Sequence, residues 1–223
     1  VILKLITAFA LSAQTAPKAA DAVKVQEPLV TKLTTRYRQA KMVEMDVEKT
    51  VVSELVGKTT KYEGKIYLMG ELFRFDTAAP ERTEIIYDGK FLWTIQHPSV
   101  EFGGELIVSK QNMSAKSKSQ IFLSSLLMRK DVRKHFDILS ENKDELKKEA
   151  IILVKPLGQG MNVEQLELRI DTNEKKNLVR EVSFNDEVGN KTTFLFPKVL
   201  FQDRKNNKLF QYKPAKGVKV LEL

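Results

Sequence analysis

Several chemistries are closed to this sequence by what it lacks. None of its 223 residues is cysteine, which excludes disulfide frameworks, thiol nucleophiles and sulfur-ligated metals. Its two histidines leave little for metal chemistry: His97 stands before a proline and reads as a turn residue, and His135 lies among charges and reads as solvated. There is no Gly-x-Ser-x-Gly elbow, no Walker glycine loop and no His-Glu-x-x-His, while Gly158 and Gly160 are a lone pair in a loop. No cofactor or metal is therefore expected, and a lipid-modifying enzyme is the least supported reading. Beyond Ala16 no long apolar run occurs, so the mature chain is expected to be soluble outside the cytoplasm. The formal charge of +8 comes without a basic run interleaved with aromatics, so nucleic acid is not an expected partner and a solvated basic surface is the simpler reading.

What the sequence does have is apolar residues, 42% of the total, enough for a sizeable core. Val1 to Ala16 is an apolar run ending in small residues, too short to span a bilayer, and it reads as a cleaved secretory signal. Residues 17–26 are small and mixed, a leader or linker. Pro28 then opens a helix over 28–39, with Leu29, Val30, Leu33 and Tyr37 on one stripe. Lys41 to Val52 switches to period two, a strand with one wet face.

The stretch from Gly64 to Ile95 organises the rest. Asp88-Gly89, between two runs of β-branched and aromatic residues, predicts a two-residue hairpin loop with Ile86 opposite Phe91 and Glu84 opposite Trp93. Both faces of this hairpin, and of the strands before it, carry apolar groups. Such a sheet must be covered on two sides or curl around something. Residues 111–119 are lysine- and serine-rich and read as a loop; Ser119 to Met128 reads as a second amphipathic helix. From Phe136 onward the pattern is a β meander, with strands at 136–140, 151–155, 165–171, 178–184 and 191–196 and a last one at 208–212. The two short helices are available as a cover for the sheet.

Three motifs in order resemble the outer-membrane lipoprotein carrier (LolA-like) family of Gram-negative periplasms. They are Gly64 to Leu68 with Leu72-Phe73-Arg74-Phe75, then Tyr87-Asp88-Gly89-Lys90-Phe91-Leu92-Trp93, and the end from Phe210 through Pro214 and Gly217 to Val220. The resemblance covers residues 27–223 as a single domain. It implies a mainly β fold with some α, a half-open antiparallel β-barrel under a short helical lid, holding lipoprotein acyl chains in an apolar cavity. It also implies two partners besides the cargo: an inner-membrane ABC transporter that releases lipoproteins and an outer-membrane lipoprotein acceptor. Where the family typically has Lys/Arg-Arg-Pro, whose arginine bonds to the lid, this chain has Leu68-Met69-Gly70.

On that reading the cavity wall is expected from Tyr67, Met69, Phe73 and Phe75, from Phe91, Trp93 and Ile95, and from Phe194 and Phe196, with Leu33, Tyr37, Phe122 and Leu126 on the lid. Each would equally serve ordinary core packing; only the excess of aromatics over two faces points to a cavity. A charged residue at Phe73 or Trp93 is expected to abolish acyl binding. The chain is expected to act as a periplasmic monomer. Two other readings stay open: a periplasmic lipid- or lipoprotein-sensing domain of related fold, and a structural β domain without ligand.

Overall fold

The computed structural model describes residues 28–113, 121–157, 163–173 and 178–223; the signal and linker expected over 1–26 lie outside them, as do Ser119 and most of the polar loop before it. Helix α1 (Leu29–Gln39) leads into β1 (Met42–Ser53), β2 (Lys58–Met69), β3 (Leu72–Ala79), β4 (Thr83–Tyr87), β5 (Phe91–Gln96) and β6 (Ile107–Asn112). Helix α2 (Phe122–Leu127) follows, then β7 (Phe136–Asp144), β8 (Glu149–Pro156), β9 (Leu166–Asp171), β10 (Leu178–Asn185), β11 (Lys191–Gln202) and β12 (Val220–Glu222). All twelve strands form one open sheet in the order β12-β6-β5-β4-β3-β2-β1-β11-β10-β9-β8-β7. It is antiparallel throughout except where β12 runs parallel to β6. The expected fold class, a mainly β open sheet with a helical cover, is the one observed.

The sheet has two apolar faces with two different covers. On the inner face α1 and α2 pack against a core that includes Val43, Met45, Ile66, Leu68, Phe73, Phe75, Phe194 and Phe196. On the outer face the segment after β11 lies across the sheet. Phe210 seats on Met42 and Met69, and Tyr212, Val218 and Val220 pack over Ile86, Trp93, Ile95 and Val108. Residues 208–212 are thus not the last strand. Asn207–Phe210 is a 3-10 turn, because Phe210 must dip into the outer face, where it is 1% exposed. The true last strand is β12.

The local geometry corrects two pairings. Tyr87 pairs with Leu92, Ile86 with Trp93 and Glu84 with Ile95, a shift of two residues from the expected register. The cause is Asp88: its Oδ1 accepts the N–H groups of Lys90 and Phe91 at 2.8 and 2.7 Å and its own N–H donates to the Phe91 carbonyl at 3.1 Å, which moves the turn one residue along to Gly89-Lys90, while its Oδ2 accepts Trp93 Nε1–H at 3.0 Å. A slip of two residues leaves every side chain on its face. The β2–β3 hairpin, by contrast, turns on Gly70 and Glu71 alone, pairing Leu68 with Phe73 and Met69 with Leu72. Odd-numbered residues of β2 therefore share a face with even-numbered residues of β3. Further along β2, a Cβ at Gly64 would collide with the Asp76 carbonyl, so only glycine permits this close approach at the β2–β3 bulge.

Candidate functional site

These parities split the expected wall between the two faces. Phe73, Phe75, Phe194 and Phe196 lie on the inner face, together with Leu33 and Tyr37 of α1 and Phe122 and Leu126 of α2. Tyr67, Met69, Phe91, Trp93 and Ile95 lie on the outer face, in contact with the C-terminal segment and not with the helices. For these five the cavity-wall assignment is corrected: the two-residue turn at Gly70-Glu71 and the even pairing of β3 with β4, Phe73 opposite Tyr87, turn them away. Their inner-face counterparts are Ile66, Leu68, Tyr87 and Leu92.

The inner site centres on phenylalanines. The Phe194 ring lies 6.3 Å from Phe75, 5.9 Å from Phe122, 6.4 Å from Phe184 and 6.5 Å from Phe196, and Phe122 meets Phe184 edge-on at 5.6 Å. Phe184 was not among the expected residues, although Val182 and Phe184 alternate on β10 as Phe194 and Phe196 do on β11. Edge-to-face and offset packing of such rings adds about 0.5–1.5 kcal/mol per pair beyond burial. The seam between α2 and β11 is therefore apolar and built from edge-to-face and stacked rings.

Side chains hold the lid helices down. The first N–H groups of α1, from Leu29 and Val30, donate to the Glu141 carboxylate at 3.0 and 3.3 Å, which supplies both the missing acceptors and a negative charge at the helix start. Tyr37, fully buried, accepts the Val179 N–H at 3.2 Å, where β9–β10 pairing is irregular. Burial, the largest influence, pushes its phenol well above the ordinary value. On α2, whose six residues are all buried, Ser124 Oγ donates to the Gly70 and Glu71 carbonyls at 3.3 Å. Arg129 reaches Glu71 at 3.7 Å. The hairpin that lacks the family's arginine is thus tied to the lid from the other side.

The outer face is different in kind. Arg74 donates to Asp76 at 2.7 Å, to Glu84 at 2.9 Å and to the Leu209 carbonyl at 3.0 Å, tying the C-terminal segment to β3. His97 and Arg82 also reach Glu84, at 2.9 and 3.3 Å. Burial pushes Asp76 up despite the bond from Arg74. At Glu84 burial pushes the same way, but the bond from His97 and the charges of Arg74, His97 and Arg82 together hold the carboxyl below its usual value. A cleft of about 730 Å³ opens here, lined by Asp46, Glu48, Lys65, Arg74, Asp76 and Glu84 among others. Its charged walls do not suit an acyl chain.

A family model described as outer membrane lipoprotein carrier protein LolA matches residues 38–213. Two proteins named outer-membrane lipoprotein carrier protein, from Haemophilus influenzae strains PittEE and ATCC 51907, are 26% identical over 191 residues, covering 82% of this chain and 83% of theirs. Among solved structures, a LolA superfamily protein from Nitrosomonas europaea aligns with a TM-score of 0.44 at 11% identity, over 82% of this chain and 96% of that one. By the span of the family match, this chain belongs to the LolA family of outer-membrane lipoprotein carriers.

Proposed function

We propose that the protein is a periplasmic carrier: it shields the acyl chains of lipoproteins on its inner face and ferries them, as a monomer, from the inner to the outer membrane. The observation that carries this reading is the phenylalanine seam under α2, sealed by helices that side chains fasten to the sheet. Three acyl chains of about fifteen methylenes cost on the order of 35 kcal/mol to expose to water, at about 0.8 kcal/mol each. Such cargo needs an apolar partner surface that is hidden when empty. In the closed form, Leu33, Tyr37, Leu126 and Phe196 fill the space between lid and sheet, all 0% exposed. Acyl chains would take the place of those helix contacts, each worth a few kcal/mol at most. Energy for loading falls to a partner, an inner-membrane ATP-driven transporter, and unloading to an outer-membrane acceptor.

Mass spectrometry of material co-purifying with the protein from the periplasm tests this. Acylated lipoproteins in stoichiometric amounts are expected. Protein that carries no lipid and binds no acylated peptide in vitro overturns the carrier reading, and a stable complex with an inner-membrane regulator would replace it with a sensor.

A further inference from the structure

Strand β1 sends Val43, Met45, Val47 and Val51 to the inner face, and Lys49 stands in the same row. Its cross-strand neighbours are Tyr62 on β2 and Phe194 on β11. The ammonium lies 5.3 Å from the Tyr62 ring centroid and 5.6 Å from that of Phe194. Ring faces replace only part of the hydration that a lysine loses on entering such a place. Among the described residues no carboxylate pairs with it, and burial holds it below the ordinary lysine value. The contrast with other cations on the sheet is clear: Lys65 reaches Glu44 and Asp46, Arg74 reaches Asp76 and Glu84, Lys110 reaches Glu222 and Arg180 reaches Asp171. In a chain with 29 acidic residues, the inner-face lysine is set among rings instead.

Position gives that charge a use. Phe194, which Lys49 overlies, is the ring shared by Phe75, Phe122, Phe184 and Phe196. A chain lying along the seam would therefore end beside the ammonium. In the next row Val51 is flanked by Thr60 and Thr192, two further hydroxyl donors on the same face. A neutral ester or amide anchor has no need of a cation; a carboxylate or phosphate has.

We propose that Lys49 is the anion-binding end of the acyl site, so that the ligand presents a carboxylate or phosphate next to its acyl chain. This rests on the acyl-binding part of the reading above and adds to it: the ligand class is an acidic amphiphile, one acyl chain with a carboxylate or phosphate beside it.

The test uses the full chain, stripped of lipid, titrated with three probes that share one tail: oleate, oleyl alcohol and 1-oleoyl lysophosphatidate. At least one anionic probe is expected to bind about tenfold more tightly than the alcohol, the size of one hydrogen bond to a charged group. Which anion is preferred distinguishes a carboxylate source from a phosphate source. Lys49→Met should erase the preference without changing affinity for the alcohol, and Lys49→Arg should keep it. Equal binding of all three probes by the wild-type protein overturns this inference alone, whatever the variants do. So does a preference that survives in Lys49→Met. Wild-type protein that binds none of the probes overturns the acyl reading and this inference with it, a separately recognisable result.

Discussion

The inner face of the sheet is one broad apolar core, while the outer face has smaller apolar patches beside a charged network, and the two are closed by different physics. The outer cover is fastened in part by main chain, where β12 joins the sheet beside β6, and the Arg74 side chain adds a bond to the Leu209 carbonyl. Among the described residues the inner cover has no strand pairing with the sheet; hydrogen bonds join the two through the side chains of Glu141, Tyr37 and Ser124. Strand pairing adds main-chain bonds that the helices of the inner cover lack, and side-chain contacts can be exchanged a few at a time. On the proposed carrier reading the outer face stays shut and the inner one opens.

A matched pair of truncations separates the faces most strongly. Phe196→Ala on the inner face and Phe210→Ala on the outer should each cost about 3–5 kcal/mol by urea unfolding. Only the first should alter acyl binding per folded molecule; equal effects on binding would erase the distinction. Trp93, expected from its sequence to touch cargo, belongs with Phe210: its replacement should cost stability and leave binding alone.

The outer charge network comes next in size. Glu84 is held below its ordinary value of 4.5, so its contribution to stability is complete above that pH and is lost as pH falls through the lower folded value. Glu84→Gln should lose roughly 1.5–3 kcal/mol at neutral pH, the worth of hydrogen bonds to a charged group. The gap from wild type should shrink in acid below pH 4.5, with acyl binding unchanged. Asp76, pushed up by burial, contributes with the opposite sign, so the wild-type acid profile should be shallow. A gap that stays constant from neutral pH into acid would remove Glu84 from the account.

The smallest effect in stability tests the lid directly. Ser124→Ala removes both bonds to the Gly70-Glu71 turn and should cost about 0.5–1.5 kcal/mol. Because it weakens only the closed form, acyl affinity should rise by up to the same free energy. A fall in affinity would mean that Ser124 serves the loaded state instead.

Much of this was legible in the residues, and the failures have definite causes. A turn near Asp88-Gly89 was readable from the glycine, which has positive φ while Asp88 does not; it falls one residue later than expected, and the register error was harmless because it was even. The hairpin at Gly70-Glu71 was the costly one. Met69-Gly70-Glu71-Leu72 carries no Asn-Gly or Asp-Gly pair, so nothing local marks where the parity inverts, and Phe73 was grouped with Tyr67 when it belongs with Leu68. The C-terminal cover was misread because Leu209, Phe210 and Tyr212 look like a strand, while their conformation is decided by Met42, Met69 and Trp93, distant in sequence. Helix α1 and its stripe were visible, since a 3.6-residue period needs no knowledge of partners, whereas α2 is a six-residue helix buried on every side and not the amphipathic one expected from Ser119 to Met128.

Strand β1 holds the two halves of the sheet together in a way that bears on assembly kinetics. On one side β2 to β6 follow one another as neighbouring hairpins, and on the other β7 to β11 do the same. A single ladder joins them, β1 with β11, matching Met42 with Gln202. Each meander can zip locally, but that junction must wait for ends separated by most of the chain to meet, the slow step that high contact order imposes. Until it forms, Lys49 and Phe194 are not neighbours.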